Sequence, residues 1–228
     1  MKRISSKLPK TVFLYLSLII YGAILPMAGQ ADLAEESYAQ ALDQLRAIDE
    51  QAGGYPLQRD IFQVVSQRAP LMSGREQWKL SRAVARYSVE HGHDPYLLLA
   101  VIEIESAYKH DAVSNKGAVG FMQVRPFVAR GIAGEVNINP VFAATNLTNL
   151  DTNLRLGSYY LSKMKNRFGS LDLALVAYNL GPTLLSKYLK DGKTPDMKYS
   201  LKVLASRKKI KQTSRVANAQ KEGNPAGV

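Results

Sequence analysis

Asp94-Pro95-Tyr96-Leu97-Leu98-Leu99-Ala100-Val101-Ile102-Glu103-Ile104-Glu105-Ser106 is the stretch from which the rest of the chain can be read. It opens as a helix: an aspartate can accept from the first free N–H groups, and proline suits the first turn. At about 100° per residue, Leu98, Val101, Ile102 and Tyr108 fall within about 60° of Glu105, while Glu103 lies about 160° away. Glu105 is therefore expected on the apolar stripe and Glu103 off it. A carboxylate in apolar surroundings is costly as an anion, so its pKa rises and it keeps a proton near neutral pH. A general acid needs that property. On this helix alone a second reading stays open, in which Glu105 rims the core and reaches water or a basic partner.

Outward from this helix the chain reads as mainly α. Toward the N-terminus, Leu33, Tyr38, Leu42, Leu45 and Ile48 recur at helical spacing, and Gly53-Gly54-Tyr55-Pro56 breaks that run. A short helix is predicted over 61–67, and a longer one over 74–90 with Trp78, Leu80, Ala83, Val84 and Tyr87 inward. Toward the C-terminus a loop holds residues 111–117, a short helix is expected over 120–124, and 131–146 looks irregular. Strong periodicity returns over 149–167, followed by helices over 171–179, 183–189 and 195–205. No strand-like alternation stands out.

Composition bounds the chemistry. The 228 residues, 46% of them hydrophobic, suit one domain with a true core plus extensions. The absence of cysteine excludes disulfides, thiolate metal sites and cysteine nucleophiles. The three histidines, His91, His93 and His110, lack metal-site spacing, and no Gly-x-Ser-x-Gly elbow supports a serine hydrolase. No metal and no organic cofactor are expected.

Lys2, Arg3, Lys7 and Lys10 precede an uncharged apolar run over 12–28, and Gly29-Gln30-Ala31 offers small residues for cleavage before Asp32. Residues 1–31 read as an export signal, or alternatively an uncleaved signal anchor, since the run approaches the roughly 17 residues of a span. Either carries the remainder out of the cytoplasm, to the periplasm or cell envelope. The net charge is +11, of which the four basic residues of this segment supply +4. Beyond Ser206, Arg207, Lys208, Lys209, Lys211, Arg215 and Lys221 face one acid, Glu222. Residues 206–228 are expected to be a basic, disordered tail, either solvated or in contact with anionic lipid headgroups or wall polymers. An exported protein offers little occasion for nucleic acid. The expected division is 1–31 signal peptide or signal anchor, 32–74 helical extension, 75–205 main helical domain and 206–228 tail, in a monomer.

Three strings then align: Glu105-Ser106 at the end of a helix; Gly117-Ala118-Val119-Gly120-Phe121-Met122-Gln123 after the Ala112-Val113-Ser114 turn; and Ala177-Tyr178-Asn179 before Gly181-Pro182. Asn153-Leu154-x-x-Gly157-x-x-Tyr160-Leu161 lies between the last two. Together, over roughly residues 75–205, they resemble the catalytic domain of the soluble lytic transglycosylases, the SLT domain of family 1. The resemblance implies a lysozyme-like fold of the goose-type lysozyme/SLT kind, here with an N-terminal helical extension, acting on peptidoglycan glycan strands.

The resemblance also implies roles. Glu105 stands at the catalytic glutamate. Ser114 stands where a serine helps hold the sugar or its N-acetyl group, and Gln123 where a glutamine contacts the saccharide, preceded by Met122. Tyr178 stands where a tyrosine hydroxyl approaches the glutamate, and Asn179 at the motif's third position. Physically, Ser114 and Gln123 offer neutral donors and acceptors suited to sugar hydroxyls and amides. Ser114 as a turn-former, Met122 as core filler and Asn179 as a helix C-terminal cap remain alternative readings. Arg125 departs from the family pattern, which commonly has methionine there; it could bind a stem-peptide carboxylate or point to solvent.

The implied reaction is cleavage of the MurNAc-β-1,4-GlcNAc bond with formation of a 1,6-anhydromuramyl end. The motifs supply one carboxylic acid where ordinary glycosidases use two. A lysozyme-type hydrolase and a non-catalytic wall-binding or secretion-scaffold module are the competing readings.

Overall fold

The computed structural model describes residues 56–222, with side chains as far as Ser214 in the last helix. The expected signal over 1–31 and the amphipathic helix over 32–50 lie outside the described residues. Nine α-helices follow within the described residues: α1 Pro56–Arg68, α2 Gly74–Glu90, α3 Pro95–Ser106, α4 Pro126–Ile132, α5 Pro140–Thr145, α6 Leu150–Phe168, α7 Leu171–Leu180, α8 Pro182–Lys190 and α9 Lys198–Glu222. A 3₁₀ turn, Ala133–Val136, continues from α4. Among the described residues no helix is long and apolar enough to cross a membrane.

Helix α3 is the centre. Asp94 accepts from the Tyr96 N–H at 3.0 Å and Pro95 occupies the first turn, as the sequence predicts. Leu97 through Ile102 are all at most 3% exposed. The apolar stripe inferred from spacing is thus nearly the whole circumference, as befits a helix enclosed by others. Helices α1, α2 and α9 pack around it. The 100° extrapolation fails beyond Ser106, because Ala107 (φ 48°) and Tyr108 (φ 65°) both take left-handed backbone and end the helix. Tyr108 therefore does not share Glu105's face; it is buried, with its hydroxyl toward the Leu99 carbonyl.

Helix α2 begins at a capping box: Ser73 Oγ accepts from the Glu76 N–H, and Glu76 accepts from the Ser73 N–H at 2.9 Å. Gln77 Nε2 closes the α1–α2 turn by donating to the Ala69 and Met72 carbonyls, both at 3.0 Å. Asn149 caps α6 through the Thr152 N–H, and Gly169 ends that helix in the left-handed conformation.

Helix α1 starts at Pro56 rather than Ile61, and three other segments differ from the expectation, two in the middle of the chain and one at its end. No helix forms over 120–124. That segment is a tight turn, with antiparallel bridges Val113–Val119 and Val119–Val124, and α4 begins only at Pro126. The stretch expected to be irregular contains α5 and the 3₁₀ turn, with Asn139 capping α5 through the N–H groups of Val141 and Phe142.

The third difference is the tail. Helix α9 does not end near Ala205 but runs to Glu222. Ser206, Ile210 and Ser214, at successive four-residue intervals, form its buried face. Arg207 donates twice to Asp94 Oδ2, at 2.9 and 2.5 Å, and Lys211 lies 3.8 Å from the same oxygen. The residues expected to form a disordered tail are thus helical as far as Glu222. The apolar and small residues spaced among the cations dock on α3, and the charges of Arg207 and Lys211 are answered by the carboxylate that caps it.

Candidate active site

Glu105 lies in the last turn of α3 and opens into a cleft of about 600 Å³. Besides Glu105, the cleft is lined by the 114–118 turn, Gln123 to Val128, Tyr160 and the α7–α8 junction from Tyr178 to Leu184. Four of the residues assigned roles from the sequence therefore meet Glu105 here: Ser114, Gln123, Tyr178 and Asn179. Glu105 is the only acid among the lining residues.

The glutamate's pKa is raised. Burial is the larger cause, and a hydrogen bond from Tyr199 works against it. The negative end of the α3 dipole also disfavours the anion. Glu103, two residues earlier, faces another way, accepting from Arg68 Nη1 at 3.0 Å and from the Ser206 hydroxyl. Spacing separates the two glutamates correctly: one is paired with a cation, the other has no charged partner within the cleft.

The hydroxyl that donates to Glu105 belongs to Tyr199 on α9, at 2.5 Å from Oε1. The Tyr178 hydroxyl, expected in that place, instead donates to the Met122 carbonyl at 2.7 Å. Tyr178 is still close enough to feel the charge of Glu105: burial, and then that carboxylate, hold its pKa well above the ordinary tyrosine value. Burial and Glu105 do the same to Tyr199. Both hydroxyls stay protonated. Sequence reasoning missed Tyr199, because one tyrosine in a short polar helix carries no spacing signal and its partner is 94 residues away.

The turn preceding Gln123 is fixed from below by α6. Asn153 is fully buried; its Oδ1 accepts from the Met122 N–H, and its Nδ2 donates to the carbonyls of Val119 and Leu147, all at 2.8 Å. Two glycines permit the approach. A Cβ on Gly120, whose φ is +81°, would lie 2.4 Å from Asn153 Nδ2 and from the Leu147 carbonyl. A Cβ on Gly157 would lie 2.7 Å from the Met122 side chain. The Asn153 and Gly157 spacing noted in the sequence is the underside of the Gly-Phe-Met-Gln turn.

Met122 is accordingly core. It is fully buried and does not line the cleft, which corrects its placement among the substrate-binding residues. Gln123 lines the cleft in left-handed backbone (φ 50°), and its Nε2 is committed to the Ala112 and Gly120 carbonyls, both at 2.9 Å. Ser114 Oγ accepts from the N–H groups of Lys116 and Ala118, so the turn-forming role holds at the cleft wall. Asn179 is exposed at the cleft, and the C-cap position of α7 belongs to Gly181. Tyr160, part of the Asn153 to Leu161 string but given no role there, packs its ring 5.4 Å from that of Tyr178 and adds an aromatic wall. Among the described residues no group of His, Asp or Glu could hold a metal ion.

The chain is similar to known proteins in sequence and in fold. The chain is 29% identical over 110 residues to a transglycosylase of Enterobacteria phage PRD1, covering 48% of this chain and 37% of the relative. It is 36% identical over 76 residues to an endo-type membrane-bound lytic murein transglycosylase A of Klebsiella pneumoniae, covering 33% and 37%. It is 27% identical over 159 residues to a membrane-bound lytic murein transglycosylase C of Pectobacterium atrosepticum, covering 66% and 42%. The chain thus spans well under half the length of these relatives. The 70 kDa soluble lytic transglycosylase of Escherichia coli shares the fold, with a TM-score of 0.52 at 21% identity over 69% of this chain and 30% of that one. The architecture is mainly α and lysozyme-like, as the sequence implies. The family model described as transglycosylase SLT domain matches residues 82–200, just over half of the chain, and the chain belongs to that family.

Proposed function

We propose that this protein is a lytic transglycosylase that cleaves the MurNAc-β-1,4-GlcNAc bond of peptidoglycan and leaves a 1,6-anhydromuramyl end. The observation that carries this reading is the solitary acid: one carboxyl group lines the cleft, and burial raises its pKa. Glycosidases that use water or an enzyme nucleophile position a second carboxylate about 5–10 Å away. Here the substrate supplies what the protein lacks.

In this mechanism Tyr199 donates to Oε1 of Glu105, which leaves Oε2 to carry the acidic proton. Glu105 gives that proton to the glycosidic oxygen as the bond to the muramyl C1 breaks. The acetamido group of the muramyl residue relieves the positive charge at C1. Glu105, now an anion, takes the proton of the muramyl 6-hydroxyl as its oxygen bonds to C1. The proton balance closes on one side chain and no water is consumed. The nucleophile is attached to the reacting ring, so its attack is intramolecular and gains from proximity. Gln123, Ser114 and Asn179 bind the saccharide along the cleft, and the Tyr160 and Tyr178 rings give it an apolar wall. An export segment over residues 1–31 would deliver the enzyme to the cell envelope, where its substrate is.

The test is the muropeptide profile after digestion with wild type and Glu105→Gln side by side. Anhydromuramyl ends from wild type, and a loss of about 10²–10⁴-fold in the variant, are the expected outcome. Reducing muramyl ends from wild type would instead identify a hydrolase on the same fold. Undiminished cleavage by the variant would remove Glu105 from the mechanism.

A further inference from the structure

The structure puts Arg125 on the cleft wall. It is half-buried at the N-cap position of α4. Its guanidinium lies 5.9 Å from the ring centroid of Phe127, which is 68% exposed at the cleft. It is also near enough to Tyr160, which lines the same cleft, for its charge to act on that phenol.

Other partly buried arginines have carboxylates: Arg68 has Glu103, Arg207 has Asp94, and Arg155 has Glu90. Arg125 has none among the described residues. Lys116, which also lines the cleft, has none among the described residues either. Two cations, Arg125 and Lys116, and a single acid, Glu105, line the cleft. A guanidinium stacked on an aromatic ring keeps its outward N–H fork free for a planar anion.

We infer that Arg125, supported by Lys116, binds a carboxylate of the substrate and makes this cleft select anionic peptidoglycan strands over neutral ones. This rests on the peptidoglycan reading above. Such a carboxylate has two sources on these strands: the free carboxyl groups of a stem peptide, or the lactyl carboxyl that is exposed on muramic acid when the peptide has been removed. Both are planar and bidentate, so the chemistry of recognition is shared.

The experiment measures binding to Glu105→Gln, which does not consume the ligand, by calorimetry at low salt. Three short glycan strands are compared: peptide-bearing with free carboxyls, peptide-bearing with those carboxyls amidated, and peptide-free with the lactyl carboxyl exposed. The expected result is about fivefold tighter binding of one or both anionic strands than of the amidated one, the effect of a partly solvated ion pair. The tighter of the two names the source. Raising the salt should erode the difference. Adding Arg125→Met should bring the ratio to about one; melting temperatures taken in parallel identify a misfolded variant, and Arg125→Gln then takes its place.

Equal affinity for all three strands overturns the inference, as does a preference that survives the loss of Arg125. The two readings fail separately. Selective binding without cleavage by wild type would remove the catalytic proposal alone, and cleavage without selectivity would remove this one alone.

Discussion

Glu105, the carboxyl proposed to react, has two opposed influences on it, the burial around it and the Tyr199 hydroxyl. Burial raises the Glu105 pKa and the hydrogen bond lowers it. Tyr199→Phe should therefore raise that pKa further and move the alkaline limb of the kcat/KM profile to higher pH. The rate at the optimum should fall about tenfold, the worth of one hydrogen bond to a reacting group. A limb that stays in place would show that Tyr199 does not act on the acid. The raised pKa has a stability counterpart. The folded chain holds the Glu105 proton more tightly than the unfolded chain, so this group's contribution to stability is present below its ordinary value of 4.5 and is lost as pH rises through the raised one. Glu105→Gln, which can still accept from Tyr199, should raise Tm at neutral pH, with the advantage shrinking toward pH 4. Thermal melts across that range check it. The position of Glu105 on the helix was legible from spacing alone. Tyr199 was not, since the contact depends on how α9 crosses α3.

At the scale of elements, α9 does more than end the fold. It brings Tyr199 to Glu105, Ser206 to Glu103 and Arg207 to Asp94, three contacts along one side of α3. Ile210, fully buried, anchors the segment that composition marks as a tail. Ile210→Ala should cost about 2–5 kcal/mol, read from denaturant melts. A disordered tail would give no change. Sequence reasoning failed here for a specific reason: the six cations beyond Ser206 dominate the composition, while the buried face consists of one isoleucine and two serines. The 120–124 segment failed for another. Its apolar residues suggest a helix turn, but Asn153 and the contacts permitted by Gly120 and Gly157 draw its backbone onto α6. By contrast, α2, α3, α6 and α7 were predicted to within one or two residues, because their caps are local: Ser73 with Glu76, Asp94 with Pro95, Asn149, and Ser170 with Gly181.

For the whole molecule, acid stability should depend on two histidines remote from the cleft. His91 Nδ1 pairs with the Ser158 hydroxyl at 2.7 Å, and His93 Nε2 with the Ser158 carbonyl at 2.9 Å. Burial lowers both pKa values below the ordinary 6.5. The unfolded chain then binds these protons first, so the stability they permit is present above pH 6.5 and falls as pH drops through the lowered values. Melts of His91→Gln should show a shallower loss below pH 6. An unchanged slope would place the acid sensitivity elsewhere.

The sequence by itself determined the class of fold, the order of the long helices and which glutamate of α3 lies on the face apart from Glu103. All of these follow from periodicity, local caps and short strings whose residues are neighbours in the chain. Only the tertiary structure decided which tyrosine holds the acid, that Met122 is core, that the basic end is a docked helix, and that Arg125 faces the cleft without a carboxylate. Each of these depends on residues far apart in sequence meeting where helices cross. Such meetings are set by how side chains fill the space between elements, and no single segment carries that information.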